Sequence, residues 1–188
     1  MWPATERYVD VAAPGGLGLV QDLLNTISAG RPRRPDLLAD LASARLWLDG
    51  AMRAWARTQG TVPSGISLRP ADLEVLLDLR SDVACAVAEA GPAGVSRPVA
   101  LAVRFGDDGI LTVQPRGEGV RRLVGAVLME CLLAQRLGTW RRLKTCRDPR
   151  CSAAFYDRSR NNSGVWHDVR GCGNAANLRA SRARRRTS

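Results

Sequence analysis

The chain has 188 residues, 45% of them hydrophobic, and a net charge of +10. That apolar content supports one ordinary packed domain with a small appendage and excludes global disorder. No window approaches the roughly eighteen apolar residues of a membrane span, and MWPATERYVDVAAPGG lacks the basic-then-apolar order of a signal peptide, so the expected location is cytoplasmic, with no membrane partner.

The first periodic stretch, LGLVQDLLNTISA at residues 17–29, puts Leu19, Leu23, Leu24 and Ile27 on one stripe at helical spacing, before Gly30 and a Pro/Arg-rich break. Asn25 and Thr26 near its end either line a ligand pocket or bond locally. A second helix is expected from Asp36 as N-cap, carrying Leu37, Leu38, Leu41, Ala44, Arg45 and Leu48 to Gly50. Residues 51–58 continue it or form another helix, with Trp47 and Trp55 as large packing residues, and residues 59–67 read as a loop.

The clearest helix runs from Pro70 to Ala90, with Leu73, Leu76, Leu77, Val83, Ala84 and Val87 as its apolar stripe and Gly91-Pro92 as the stop. Arg80 interrupts that stripe. It either reaches an anionic ligand in a pocket or pairs with a core-edge acid such as Asp78 or Asp82. Cys85 on this helix reads as structural. The runs VALAVRF (99–105) and ILTVQ (110–114) flank a Gly/Asp turn, which is a hairpin signal. Residues 118–137 form a helix apolar nearly all round, and so expected in a core, where Cys131 serves as packing. Residues 1–140 thus read as an α+β domain, mostly helical with one β-hairpin.

Beyond residue 140 the composition changes. Residues 1–140 hold 15 arginines against 15 acids, whereas residues 141–188 hold 12 arginines and Lys144 against Asp148, Asp157 and Asp168, a balance of 13 − 3 = +10. The whole excess charge lies in this second, C-terminal unit, which suggests a polyanionic partner. The same segment carries three of the five cysteines and the sole histidine, spaced C-x4-C-x15-H-x4-C as Cys146, Cys151, His167 and Cys172. Two short ligand pairs joined by a loop let two chain turns clamp one zinc ion. In a reducing compartment clustered thiols are better read as ligands than as disulfides. A short final helix from Ala175 to Arg186, capped by Asn174, places Arg179, Arg182 and Arg186 on one face, with Arg184 and Arg185 widening the patch.

The run Cys146, Cys151, Phe155, Tyr156, Asp157, Ser159, Arg160, Asn161, Trp166 and Cys172-Gly173-Asn174 resembles the CGNR zinc finger. That finger ends the chains of a bacterial family of stress-induced transcription regulators with an ABATE-type N-terminal domain. This sequence departs from the family pattern twice: His167 stands where the third cysteine would be, and Ala175 replaces the arginine of the tetrad. Imidazole keeps the ligand count, while the second change removes a positive charge. The piece Gln21 to Thr26 is similar to a segment near the start of the family's N-terminal domain.

The resemblance implies DNA as partner and transcription regulation as function, with the helical body sensing a small-molecule or protein effector or mediating pairing into a homodimer. Arg158, Arg160, Asn161, Asn162, Arg179, Arg182, Arg184, Arg185 and Arg186 are the candidate nucleic-acid contacts, the arginines for phosphates and Asn161 or Asn162 for bases. Two other classes stay open. Basic charge around Phe155, Tyr156 and Trp166 would suit an RNA or ribosome-associated binder, and oxidisable thiolates would suit a redox switch acting on a protein partner. No catalytic constellation is present: with the sole histidine used as a ligand, no His-based triad remains, so the chain is expected not to be an enzyme.

Overall fold

The structure is a computed structural model that describes residues 1–9, 11–30, 32–63, 65–89 and 96–187. Its elements are α1 (Leu17–Leu24), α2 (Leu41–Gln59), α3 (Asp72–Val87), β1 (Leu101–Phe105), β2 (Leu111–Pro115), α4 (Val120–Arg136), β3 (Leu143–Thr145), β4 (Ala154–Tyr156) and α5 (Asn174–Thr187). The strands form two separate antiparallel pairs, β1 with β2 and β3 with β4. The mixed class and the β1–β2 hairpin agree with the expectation from sequence. None of the described helices is long and apolar enough to cross a membrane.

The short helix α1 is the centre of the fold. All eight of its residues are buried, and α2, α3, α4 and β4 each pack against it. Leu19 and Leu23 meet Trp47 and Leu48 of α2, Leu76 and Leu79 of α3, and Leu123 and Val127 of α4 in one apolar core. That helix also buries polar groups, so each needs partners. Asp22 accepts hydrogen bonds from the Ala4 amide (3.0 Å), the Thr5 amide (2.7 Å) and Trp47 Nε1 (2.8 Å). The carboxylate thereby pins the N-terminal segment over the core. Trp55 repeats the device, donating from Nε1 to Glu130 at 2.8 Å. Both tryptophans are packing residues, as expected, and both use their N–H groups.

Several boundaries differ from the sequence reading, each for a local reason. The N-cap of α2 is Asp40, whose carboxylate accepts from the Ser43 amide at 2.8 Å and the Ser43 hydroxyl at 2.7 Å. Asp36 instead sits in the preceding turn, accepting from the Leu38 amide (2.8 Å) and taking both terminal nitrogens of Arg80 at 2.8 and 2.9 Å. That bidentate pair is the partner of Arg80, in place of Asp78 or Asp82, because α3 lays Arg80 beside the α1–α2 connection. Asp82 is taken by Arg97. Helix α2 runs straight through Gly50, where a Cβ would lie 3.0 Å from Pro3, so this glycine admits the N-terminal segment and does not stop the helix. Helix α1 ends at Leu24 and α3 starts at Asp72, while Ala90 and Gly91-Pro92 lie outside the described residues. Helix α4 is not apolar all round in a core: Leu132, Leu133 and Leu137 are exposed at its C-terminal end, where the body stops covering it.

Candidate metal centre

The centre is built at the tip of the β3–β4 hairpin, in which Leu143 pairs with Tyr156, Lys144 with Phe155 and Thr145 with Ala154. Just beyond the strands the Cys146 amide donates to the Ala153 carbonyl (2.8 Å) and the Cys151 amide to the Asp148 carbonyl (2.8 Å). These bonds fold Cys146 and Cys151 onto one side of a knuckle. Ser152 then takes a left-handed conformation (φ 61°) that returns the chain to β4.

His167 arrives from the loop after β4, and Lys144 holds that loop in shape. The Lys144 ammonium donates to Asp157 Oδ2 (2.7 Å), the Asn162 carbonyl (2.7 Å) and the Gly164 carbonyl (3.1 Å). Asp157 also accepts from the amides of Ser159 (2.9 Å) and Gly164 (2.7 Å). Burial works against ionisation of Asp157, but the lysine and these hydrogen bonds outweigh it and hold the carboxyl well below the usual carboxylate range.

Cys172 comes from a wide π-helical turn, Val169–Gly173, in which the Asp168 carbonyl accepts from both the Cys172 (2.9 Å) and Gly173 (3.2 Å) amides. The cap is Asp168, whose carboxylate accepts from the Arg170 amide at 2.9 Å. Asn174, expected from the sequence to cap the final helix, is already helical (φ −61°, ψ −41°) and continues the turn into α5. Gly173 backs onto Trp166, where a Cβ would lie 3.1 Å from the indole.

The three sulfurs and one imidazole nitrogen lie within 4.8 Å of one another. His167 Nδ1 is 3.3 Å from the Cys151 sulfur and 3.7 Å from that of Cys172. In a tetrahedral zinc site with ordinary bond lengths a sulfur and a nitrogen ligand stand about 3.5 Å apart, so the residues present fit the ion. Three thiols this close conflict with one another. The Cys146 thiol is pushed down and that of Cys151 up, chiefly by the interaction between their two sulfurs. A divalent cation resolves the conflict by holding all three as thiolates. Cys85 and Cys131 stand outside this cluster.

The site is not solely a product of the C-terminal segment. Ala29, from the segment after α1, is buried with Cys146, Cys151, Ala153 and Cys172, and Tyr8, Ile27 and Trp166 pack around them. The Gly30 amide donates to the Cys151 carbonyl at 3.2 Å. On the other side of the hairpin, Leu143 and Ala154 belong to the main core. Asn25 and Gln21 reach across to Ala154: Asn25 Oδ1 accepts from its amide (2.8 Å), and its carbonyl accepts from Asn25 Nδ2 (2.9 Å) and Gln21 Nε2 (3.1 Å). These body residues were not picked out as builders of the site. The available signal was amide side chains, Gln21 and Asn25, on an otherwise apolar helix.

The candidate pocket residues are therefore found bonding within the protein. Besides Ala154, Asn25 approaches Thr5 Oγ1 at 3.4 Å; Thr26 donates to the Leu23 carbonyl at 2.7 Å; and Arg80 donates to Thr26 Oγ1 at 2.9 Å as well as to Asp36. The candidate nucleic-acid contacts divide in two. Arg160 and Asn161 on the loop, and Arg182, Arg184 and Arg185 on α5, are exposed. Arg158, also exposed, donates to the Ala12 carbonyl at 2.7 Å and lies 5.5 Å over the Tyr156 ring; Asn162 donates to the Arg141 carbonyl at 3.1 Å; and Arg179 pairs with buried Asp148 at 3.1 Å. The Arg179 pair docks α5 on the knuckle. The side chain of Arg186 lies outside what the structure describes.

Residues 142–185 match the family described as the CGNR zinc finger. No curated protein matches the chain. The match covers the hairpin, the four ligands and most of α5, and together with the converging donor atoms it identifies a zinc-binding finger.

Proposed function

We propose that the chain is a zinc-containing DNA-binding transcription regulator, in which the finger grips DNA and the helical body senses a signal or pairs two copies. One observation carries the reading: exposed Arg160, Asn161, Arg182, Arg184 and Arg185 stand on a scaffold fixed by the four-ligand cluster and by the Arg179–Asp148 pair. Arginines held on such a frame lose less conformational freedom when they meet phosphates than arginines on a loose tail. Bound zinc would act structurally, since three thiolates and an imidazole fill its tetrahedron and leave no position for water, and we read no catalytic role in the chain. Duplex binding is favoured over base stacking because Phe155 is buried and Arg158 covers the Tyr156 ring.

The test is selection of bound sequences from a random DNA pool, followed by titration of the best duplex at several salt concentrations. If about five arginines contact phosphates, log affinity against log salt has a slope near −4.5. A flat dependence, or tighter binding to single-stranded RNA at the same salt, overturns the reading.

A further inference from the structure

An open cleft of about 570 Å³ lies where the N-terminal segment meets the finger. Its volume is within the range of small-molecule sites. Tyr8 and Val9 contribute from the body, while Phe155, Arg158, Val169 and Arg170 contribute from the finger. A molecule seated there touches both parts of the chain.

We propose that this cleft binds a small aromatic carboxylate, with its ring on the Tyr8, Val9 and Val169 side chains and its carboxylate on Arg158 and Arg170. The lining is mixed: Tyr8, Val9 and Val169 give it an apolar part that suits a flat hydrocarbon body and that a strongly hydrated inorganic anion would not use, beside the polar part made by Arg158, Asp168 and Arg170. Two guanidinium groups face one carboxylate, that of Asp168, which already accepts the Arg170 amide. Arg158 is held in place by its bond to the Ala12 carbonyl and by the Tyr156 ring beneath it, which leaves further N–H groups of its planar fork to donate. Arg170 makes no side-chain hydrogen bond or ion pair with the described residues. The Tyr8 wall is fixed as well, its hydroxyl donating to the Ile27 carbonyl (3.0 Å) and accepting from Arg7 (2.8 Å). A planar fork matches a carboxylate bidentately, so a preorganised arginine beside an unpartnered one makes a carboxylate site. His167 also borders the cleft, but its Nδ1 faces the sulfurs, so the anion is held by the arginines and not by the metal.

Calorimetric titration of the zinc-loaded full chain with 2-naphthoate tests this, with 2-naphthalenemethanol as the uncharged counterpart. The expected result is saturable one-to-one binding of the naphthoate, about tenfold or more weaker for the alcohol and for each of Arg158→Ala and Arg170→Ala. Circular dichroism and the absorption of the cobalt-substituted protein report whether each variant keeps its fold and metal site. If Arg158→Ala perturbs either, Arg170→Ala alone decides. Absence of saturable binding, equal binding of the alcohol, or a well-folded variant that binds as tightly as the parent overturns the proposal. A switch of the cobalt spectrum from four- to five-coordinate on adding naphthoate does so too, because it puts the carboxylate on the metal. Anion binding in the cleft needs no nucleic acid, so the outcome is separate from that of the salt titration.

Discussion

The side-chain amide of Asn25 pairs with the main chain of Ala154 as a neighbouring strand would, Oδ1 accepting from the Ala154 amide at 2.8 Å and Nδ2 donating to its carbonyl at 2.9 Å. Both residues are fully buried. Asn25 ends α1 and Ala154 opens β4, so this pair joins the helix at the centre of the body to the hairpin that carries two metal ligands.

Asn25→Ala removes both partners at once and leaves the Ala154 amide without its acceptor. The expected loss is about 2–4 kcal/mol of stability, the cost of one or two orphaned buried polar groups. Body and finger should no longer unfold together, so denaturation followed by far-UV circular dichroism and by zinc release should give two midpoints in place of one. Coincident transitions in the variant would count against this account of the coupling.

His167→Ala should weaken zinc by more than the roughly 10–100-fold that outer hydrogen-bond partners of metal ligands contribute, because it deletes one of four direct donors. Cys85→Ser and Cys131→Ser should leave affinity unchanged, since neither sulfur belongs to the cluster. Competition with a chromophoric chelator measures all three. Parent-like zinc retention in the histidine variant would remove residue 167 from the ligand set.

Asp22 supplies a pH dependence of definite sign. Burial outweighs its three donors and raises the carboxyl from 3.8 to about 6. A carboxyl raised in the folded state stabilises most below its unfolded value and loses that contribution as pH rises through the folded one. Stability attributable to Asp22 should therefore fall by about 3 kcal/mol between about pH 4 and pH 6. The zinc ligands also titrate with pH, so the quantity to follow is the difference between the parent and Asp22→Asn in urea denaturation. A difference that stays constant across this window would refute the assignment.

Two arginines of α5 should behave differently. Arg182→Ala should leave stability unchanged and lower the steepness of the salt dependence of DNA binding by about 0.9. Arg179→Ala takes a donor from buried Asp148 and should cost about 1–3 kcal/mol, reduced from the full value for a buried pair because Arg179 is partly solvated. Equal effects of the two substitutions on thermal unfolding would contradict the docking role of Arg179.

The elements legible in the sequence were those governed by local rules. The Leu19, Leu23 and Leu24 stripe, the Gly/Asp turn of the β1–β2 hairpin and the tryptophans of α2 follow from periodicity and turn chemistry within a few residues. Asp36 and Asp40 were harder to separate, because both can cap a helix. What distinguishes them is Arg80, 44 residues downstream, which claims Asp36. Gly50 looked like a stop for the same reason: its neighbour Pro3 lies far off in the chain.

The chain by itself determined that Cys146, Cys151, His167 and Cys172 form one ligand set and that the excess positive charge lies around them, because ligand pairs of short spacing and a run without acids are properties of contiguous residues. Only the tertiary structure decided which basic groups are left to solvent and which are engaged within the protein, with Lys144 spent on a loop, Arg179 on Asp148, and exposed Arg158 anchored through one bond to Ala12. It also decided that the knuckle rests on Ala29 and is bonded by Asn25. These are contacts between residues tens to more than a hundred positions apart, and they depend on how α1 is buried, which no local pattern encodes.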